Sequence, residues 1–259
     1  MFSGIPNKIS IRIRAGLTHL GASACVGILI LVLVFLVWYP SPLGPLTGVM
    51  RIFVLLVAVD IAIGPLCTLV VFNPQKKSLR FDLAVIVILQ LCALIYGMHA
   101  VFVARPAYVV WNVDRFDVVL AKDVDRKSEA AAKDHQFRSL PLTGPVTVGA
   151  KLPADRQMRD KVLFSAVAGG ADLPQLPEYY VPIEQVSGEI RSRAQPLSKL
   201  LELNKNLSSA TKAEIEVFQN PANQFGWVPL RGVQSDGAVV VDRIKGTVVK
   251  ILLAKPWKG

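Results

Sequence analysis

DIAIGPLCTLVVFNPQKKSLRFDLAVIVILQLCALIYGMHAVFVARP, residues 60–106, decides how the rest of the chain is read. It holds the end of one apolar run, a short hinge at 75–80 carrying Lys76, Lys77 and Arg80, and a complete second apolar run at 81–103. About 20 apolar residues in helical form span the hydrocarbon of a bilayer. Asn73-Pro74 closes the first run, because proline has no N–H for the helical ladder and turns the residue before it away from helix. Arg105-Pro106 closes the second in the same way.

Upstream, the run 46–72 completes the first of these segments, and an earlier run at 17–39 ends in Trp38-Tyr39. Lys8, Arg12 and Arg14 precede it. A secretory signal would share that basic start. Its apolar core would be shorter and would lead to a small-residue cleavage site, whereas here the run meets an aromatic pair and an uncharged Pro/Gly-rich turn at 40–47. The expectation is three transmembrane helices, with spans at about 17–39, 46–72 and 81–103. Both basic segments fall on one side of them, which the positive-inside rule makes cytoplasmic. The chain after residue 105 is then delivered to the far side, which in a bacterium is the periplasm. The reading divides the chain into a membrane domain, 1–105, and a periplasmic domain, 106–259.

The charge distribution agrees. The chain carries 29 Lys and Arg against 19 Asp and Glu, and 52% of it is hydrophobic. Of the net charge of +10, residues 1–105 hold +6 (8 basic, 2 acidic) and residues 106–259 hold +4 (21 basic, 17 acidic). The basicity is chiefly a topology signal, and no basic cluster in the second half suggests nucleic acid. Cys25, Cys67 and Cys92 all lie in apolar runs, so the second domain stands without disulfides.

Asp60 is the residue that resists a bland explanation. It lies about 12 residues from the cytoplasmic end of its span, where a charge costs about 2.5–3.5 kcal/mol. Counting back up the antiparallel third span brings Tyr96 opposite, with His99 a turn further out, and these are the candidate partners within the chain. The alternative is a polar contact with a helix of another protein. Arg51 is near enough to the outer surface to extend its guanidinium there. Gly21, Ala22, Ser23 and Ala24 offer small residues for close helix packing.

The second domain reads as α+β, with strands at 108–113 and 116–120, a charged Ala-rich helix at 121–134, and a strand at 146–152. Helices follow at 155–168, 196–203 and 211–218, the last opened by a Thr211–Glu214 capping box. Three closing strands at 227–230, 238–241 and 247–253 form an antiparallel meander, with turns at Asp236-Gly237 and Lys245-Gly246. Its only histidine is His135, in a charged stretch, and it has no cysteine. No metal or nucleophile constellation is legible, no cofactor is expected, and Asp114, Asp117, Asp123 and Asp125 alternate with basic residues as a solvated face would. Tyr179, Tyr180 and Trp227 are either core or a periplasmic aromatic binding surface.

A set of motifs along most of the chain resembles a known family. They are Val37-Trp38-Tyr39-Pro40; Asp60 with Gly64-Pro65-Leu66; Val70-Val71-Phe72-Asn73-Pro74; the segment 77–84; Gln90 with Tyr96-Gly97; and Arg105-Pro106 leading to Asp114-Arg115-Phe116. Gly169-Gly170-Ala171-Asp172-Leu173, Leu176-Pro177-Glu178-Tyr179-Tyr180 and Pro256-Trp257 extend them. Together they are similar to the type IV pilin accessory proteins of the TfpX/TfpZ kind. The resemblance implies a non-enzymatic inner-membrane protein that helps a cognate type IV pilin assemble into pili. Its partners would be the bilayer, the pilin helix and head, and other pilus-assembly proteins. Two other classes compete. The strand–helix–strand order of the second domain is also that of PAS- and Cache-like ligand sensors, although no cytoplasmic output domain accompanies it. A membrane-bound transferase would need a catalytic constellation that the sequence does not display.

Overall fold

Where backbone groups cannot bond to water, an apolar segment satisfies them by closing its own i→i−4 ladder. The computed structural model, which describes residues 8–219 and 224–257, shows three such helices. They are α1 (Lys8–Val32, continued by a π-helical turn Leu33–Trp38), α3 (Val49–Val71) and α4 (Leu79–Val103). Each is long and apolar enough to cross a membrane. Their outer faces are covered with exposed apolar side chains such as Leu29, Leu36, Leu55 and Phe81, which is the surface lipid requires. α3 is the middle helix and packs against both α1 and α4, which form no comparable contact with each other.

Small residues set these contacts. Gly16 lies against Leu69 and the Pro65 carbonyl, and Gly27, three turns on, lies against Val57 and Ile61. Gln90 fills the notch at Gly64, and Leu56 fills the one at Gly97. Arg12 Nε donates to the Phe72 carbonyl at 2.8 Å, answering one of the orphan acceptors that end a helix. In the hinge, Asn73 Oδ1 accepts from the Gln75 N–H, and Lys76 pairs with Asp82 at 2.5 Å. Asp82 lies in the first turn of α4, where the helix dipole favours an anion.

The chain divides into two compact units, with breaks at Val37/Trp38, Gly48/Val49 and Val103/Ala104. The second unit therefore combines the stretch between α1 and α3 with everything after α4. It is a mixed α/β domain. Its strands are β1 (Pro106–Asn112), β2 (Arg115–Leu120), β3 (Val146–Ala150), β4 (Tyr180–Pro182), β5 (Gln195–Pro196), β6 (Phe225–Arg231), β7 (Gly237–Asp242) and β8 (Val248–Leu252). They join one sheet in the order β4-β3-β1-β2-β6-β7-β8, with β5 on β6. The β1–β3 and β2–β6 pairs are parallel and the others antiparallel.

Period-2 alternation gives the sheet two apolar faces. Val109, Trp111, Phe116, Val118, Val228, Leu230, Val239 and Val241 form one core with Ile190 of α7 (Ser187–Arg193) and with Leu43 and Leu46. The opposite face carries two clusters. One gathers Tyr108, Val110, Val119, Val148, Phe137 and Tyr180. The other gathers Trp227, Ala238, Val240 and Leu252 under α8 (Leu197–Leu203) and α9 (Ser209–Gln219).

Several sequence expectations change here. The stretch at 40–47 is more than a turn. It forms a short helix, α2 (Leu43–Thr47), whose Leu43 and Leu46 are core residues. The Leu46 carbonyl accepts from the N–H groups of Gln234, Val233 and Ser235 at 2.8, 3.0 and 3.4 Å. The helix expected at 121–134 is broken into a 3₁₀ turn at Ala121–Asp123, α5 (Arg126–Ala130) and a second 3₁₀ turn at His135–Phe137. Asp125 and Asp134 cap the later two with their own carboxylates, a local bonding that competes with a continuous helix. α9 begins earlier than its expected capping box, and Ser208 Oγ, not Thr211, accepts from the backbone at its start. α6 (Arg156–Val167) buries Val162 but leaves Met158 and Leu163 exposed. The β6–β7 connection is the five-residue loop 232–236, closed by Asp236 Oδ1 accepting from the Gly232 N–H.

Candidate functional site

Asp60 is the natural starting point, because an acid within a span must find a partner or face an open surface. Its partner within the chain is Gln90. The Gln90 Nε2 donates to Asp60 Oδ1 at 3.0 Å and to the Asp60 backbone carbonyl at 3.1 Å. Gly64, one turn below Asp60, makes this reach possible, since a side chain there would overlap the Gln90 amide. Pro65 follows inside the helix and removes the N–H that would have bonded Ile61.

This differs from the pairing expected from residue counting. The Gly64–Gln90 and Leu56–Gly97 contacts fix a register in which Asp60 is level with Ala93. Tyr96 is therefore a turn too far out. Gln90 and Gly97 are seven residues apart and share the face of α4 turned to α3, whereas His99 falls on the opposite face at 100° per residue. Tyr96 is 78% exposed and His99 is exposed as well. Tyr96 does line a second, smaller cleft beside Asp60 and Gln90, but neither residue bonds to Asp60. Arg51 is exposed near the start of α3.

The larger feature is a groove of about 640 Å³ between α1 and α4 with α3 as its floor. From α1 it is lined by Ile11, Arg14, Ala15, Thr18, His19, Ala22, Ser23 and Val26, a stripe at helical spacing. From α4 it is lined by Leu83, Val87, Gln90, Leu91 and Leu94. Besides Arg14, Thr18 and Ser23, two polar pairs bond between the helices there. His19 Nδ1 lies 2.6 Å from Thr68 Oγ1, and further along stands the Asp60–Gln90 pair. Of the four small residues expected to form one packing face, only Ala22 and Ser23 line the groove. Gly21 has open space beside it. Four consecutive residues spread around a helix, so the close-packed face is drawn instead from Gly16 and Gly27. His19 and Thr68 carried no sequence signal of their own. Their i+4 spacing to Ser23 and Gly64 was the available clue.

The second unit has a pocket of about 760 Å³ lined by Glu202, Asn204, Lys205, Ser208, Thr211 and Lys255 among others, and none of the residues expected to form a binding surface lines it. Tyr180 and Trp227 are core residues, and so not a binding surface. Tyr180 packs edge-to-face on Tyr108 and Phe137 and donates its hydroxyl to the Pro174 carbonyl. Trp227 is 1% exposed and donates Nε1 to the Pro196 carbonyl at 3.0 Å. Tyr179 is partly buried against the Tyr180 cluster. A notch of about 220 Å³ is lined by Asp117, Asp123, Asp172 and Arg231 among others. Two of its acids are already engaged. Asp172 caps the Leu173 N–H, and Asp117 accepts from Asn112 Nδ2 at 2.9 Å and from Arg115 Nε at 3.3 Å. Asp117 is thus a buried carboxylate, not part of a solvated face. Burial pushes its carboxyl above the usual range, against the opposing pull of Asn112 and Arg115. Burial, with repulsion from Glu129 second, pushes the Tyr108 hydroxyl up to about 12. No group of three or more His, Cys, Asp or Glu placed to hold a metal occurs among the described residues.

Comparison with known proteins supplies what the geometry does not. Residues 7–48 match the family model described as "Fimbrial assembly protein FimB". The "Fimbrial assembly protein, serogroup I" of Dichelobacter nodosus is 30% identical over 231 residues, covering 87% of this chain and 88% of the relative. The serogroup E1 protein of the same organism is 28% identical over the same coverage. The protein of serogroups C1 and C2 is 37% identical over 108 residues, 41% of this chain and 82% of that relative. No solved structure matches the chain. With identity at this level along nearly the whole of both sequences, the chain belongs to the fimbrial assembly protein family.

Proposed function

We propose that this protein is an inner-membrane accessory factor that assists a cognate type IV pilin into pili, by contact and not by catalysis. One observation carries the reading: 30% identity across 87% of the chain to a protein whose name is fimbrial assembly protein. The same observation favours assembly over ligand sensing. The N-terminus is cytoplasmic and the α/β domain periplasmic. The arrangement of the second unit supports this topology. The stretch Trp38–Gly48 and the chain from Ala104 onward are one folded body, so they occupy one side of the membrane. The basic segments around Arg12, Arg14 and Lys76 to Arg80 then occupy the other, as the positive-inside rule asks.

Deleting the gene and complementing it in a piliated bacterium tests the reading. The expected result is that surface pili are lost while the pilin subunit still accumulates in the inner membrane. Undiminished piliation in the deletion strain would overturn it.

A further inference from the structure

We infer that the groove between α1 and α4 is a seat for one transmembrane helix of the partner, and that Asp60 recognises a hydrogen-bond donor carried by that helix at its own depth. The inference rests on the assembly reading only for the partner's name, the pilin. The site itself follows from three features.

The first is shape. Along α1 the lining runs from Ile11 to Val26, about 22 Å at 1.5 Å per residue, or some four turns of an occupying helix. Ala15, Ala22 and Ser23 keep that wall low, so another backbone can approach closely. The second is the state of the carboxyl. Gln90 occupies Oδ1, and no hydrogen bond reaches Oδ2 from the described residues. An acceptor in hydrocarbon without a donor is unfavourable, and an acyl chain has none to give. A helix bearing an amine, amide, hydroxyl or guanidinium group supplies one. The third is the position of the pair. Asp60 and Gln90 both line the groove, as they do the smaller cleft beside Tyr96, so a helix docked in the groove would meet them directly. A second copy of this chain fits less well. Its exposed donors, Tyr96 and His99, lie on α4, whose opposite face is a wall of the same groove. Seating one copy in the next would be a head-to-tail contact and not a self-complementary one.

The test uses the full-length protein in membranes of cells making the cognate pilin. A photoreactive residue is placed at Val87, on the groove wall, and separately at Ile88, which is exposed on the other side of α4. The expected adduct is chain plus pilin from Val87 and not from Ile88. It should fall about fivefold or more in both Asp60→Leu and Asp60→Asn, because the asparagine oxygen stays with Gln90 and an NH2 donor then stands where Oδ2 accepted. Because Asp60→Leu also removes the Gln90 bond, Ala22→Phe provides a second variant. It fills the groove without touching the pair, and should abolish the adduct at unchanged protein level. Four outcomes would each overturn the inference: an adduct of two copies of the chain, a pilin adduct from Ile88 alone, no adduct from either position, or equal yields in wild type and Asp60→Leu. Failure here with pili lost on gene deletion would remove the seat and leave the assembly role standing. Pili retained on deletion would remove the role, whatever the groove binds.

Discussion

Gln90 occupies the space that a side chain at Gly64 would fill, and from there it reaches Asp60. Glycine is thus required at 64 for a reason of contact and not of backbone freedom. Gly64→Ala should push the Gln90 amide away and break both of its bonds to Asp60. Overpacking of this kind costs about 1–3 kcal/mol. A thermal melt of the full-length protein in detergent should show the loss. Gly97→Ala meets Leu56 in the same manner, and adding Leu56→Ala should recover part of its loss. Purely additive effects of those two substitutions would mean the notch is not what joins them.

Leu43 and Leu46 make a second prediction. Both are buried in the core formed by Trp111, Phe116 and Val239. Leu46→Ala should cost about 2–5 kcal/mol, a core value, although the residue sits between two membrane spans. By the same reasoning a fragment starting at residue 104 lacks part of its own core. It should be poorly folded, with amide exchange far faster than in the full chain. A well-protected fragment would contradict this.

These two cases show what was legible in the sequence. The three spans were, because hydrocarbon thickness imposes a length that composition alone reveals. The strands β1, β2, β6 and β7 were, because each alternates between two buried faces. The partner of Asp60 was not. Counting residues assumes that two helices meet at equal height, whereas Gly64 and Gly97 set the height here. The role of Leu43 and Leu46 was hidden because a leucine beside Pro and Gly looks the same in a turn and in an anchor. Tyr180 and Trp227 stayed ambiguous because aromatic residues serve cores and surfaces alike. Which served here depended on α8, α9 and the 3₁₀ turns that cover them.

Asp117 gives a dependence on pH. Burial raises its carboxyl above the ordinary 3.8, so the folded state holds the proton more tightly than the unfolded one. Its contribution to stability is fully present below the ordinary value and is lost as pH rises through the raised one. Asp117→Asn abolishes the titration. The difference in Tm, variant minus wild type, should therefore increase from about pH 3 to about pH 7. A difference that is flat across the series, or falls with pH, would show the carboxyl is not shifted in this direction.

Val113 is the one non-glycine residue with positive φ among those described, at 61°, in the turn between β1 and β2. A β-branched side chain pays about 1–2 kcal/mol in that region. Its side chain is exposed, so little packing is lost on replacing it. Val113→Asn should raise Tm by a few degrees for a domain of this size, since asparagine tolerates the conformation. A lower Tm would place the value of Val113 in contacts made by its methyl groups.

The bonds from the 233–235 backbone to the Leu46 carbonyl also set a timetable. Pro45 and Ser235 are 190 residues apart, and at ribosomal speeds that separation is about 10–40 s of synthesis. For that interval α2 has left the ribosome and the 233–235 backbone that bonds to it does not yet exist. Leu43 and Leu46 remain uncovered while both later spans are being inserted. When β6 and β7 arrive, they close a ring of chain through the bilayer, with Gly48 and Ala104 held in one folded body. From then on neither α3 nor α4 can invert or withdraw without first opening the domain. The domain is a clasp, and reorienting the spans would require it to open first.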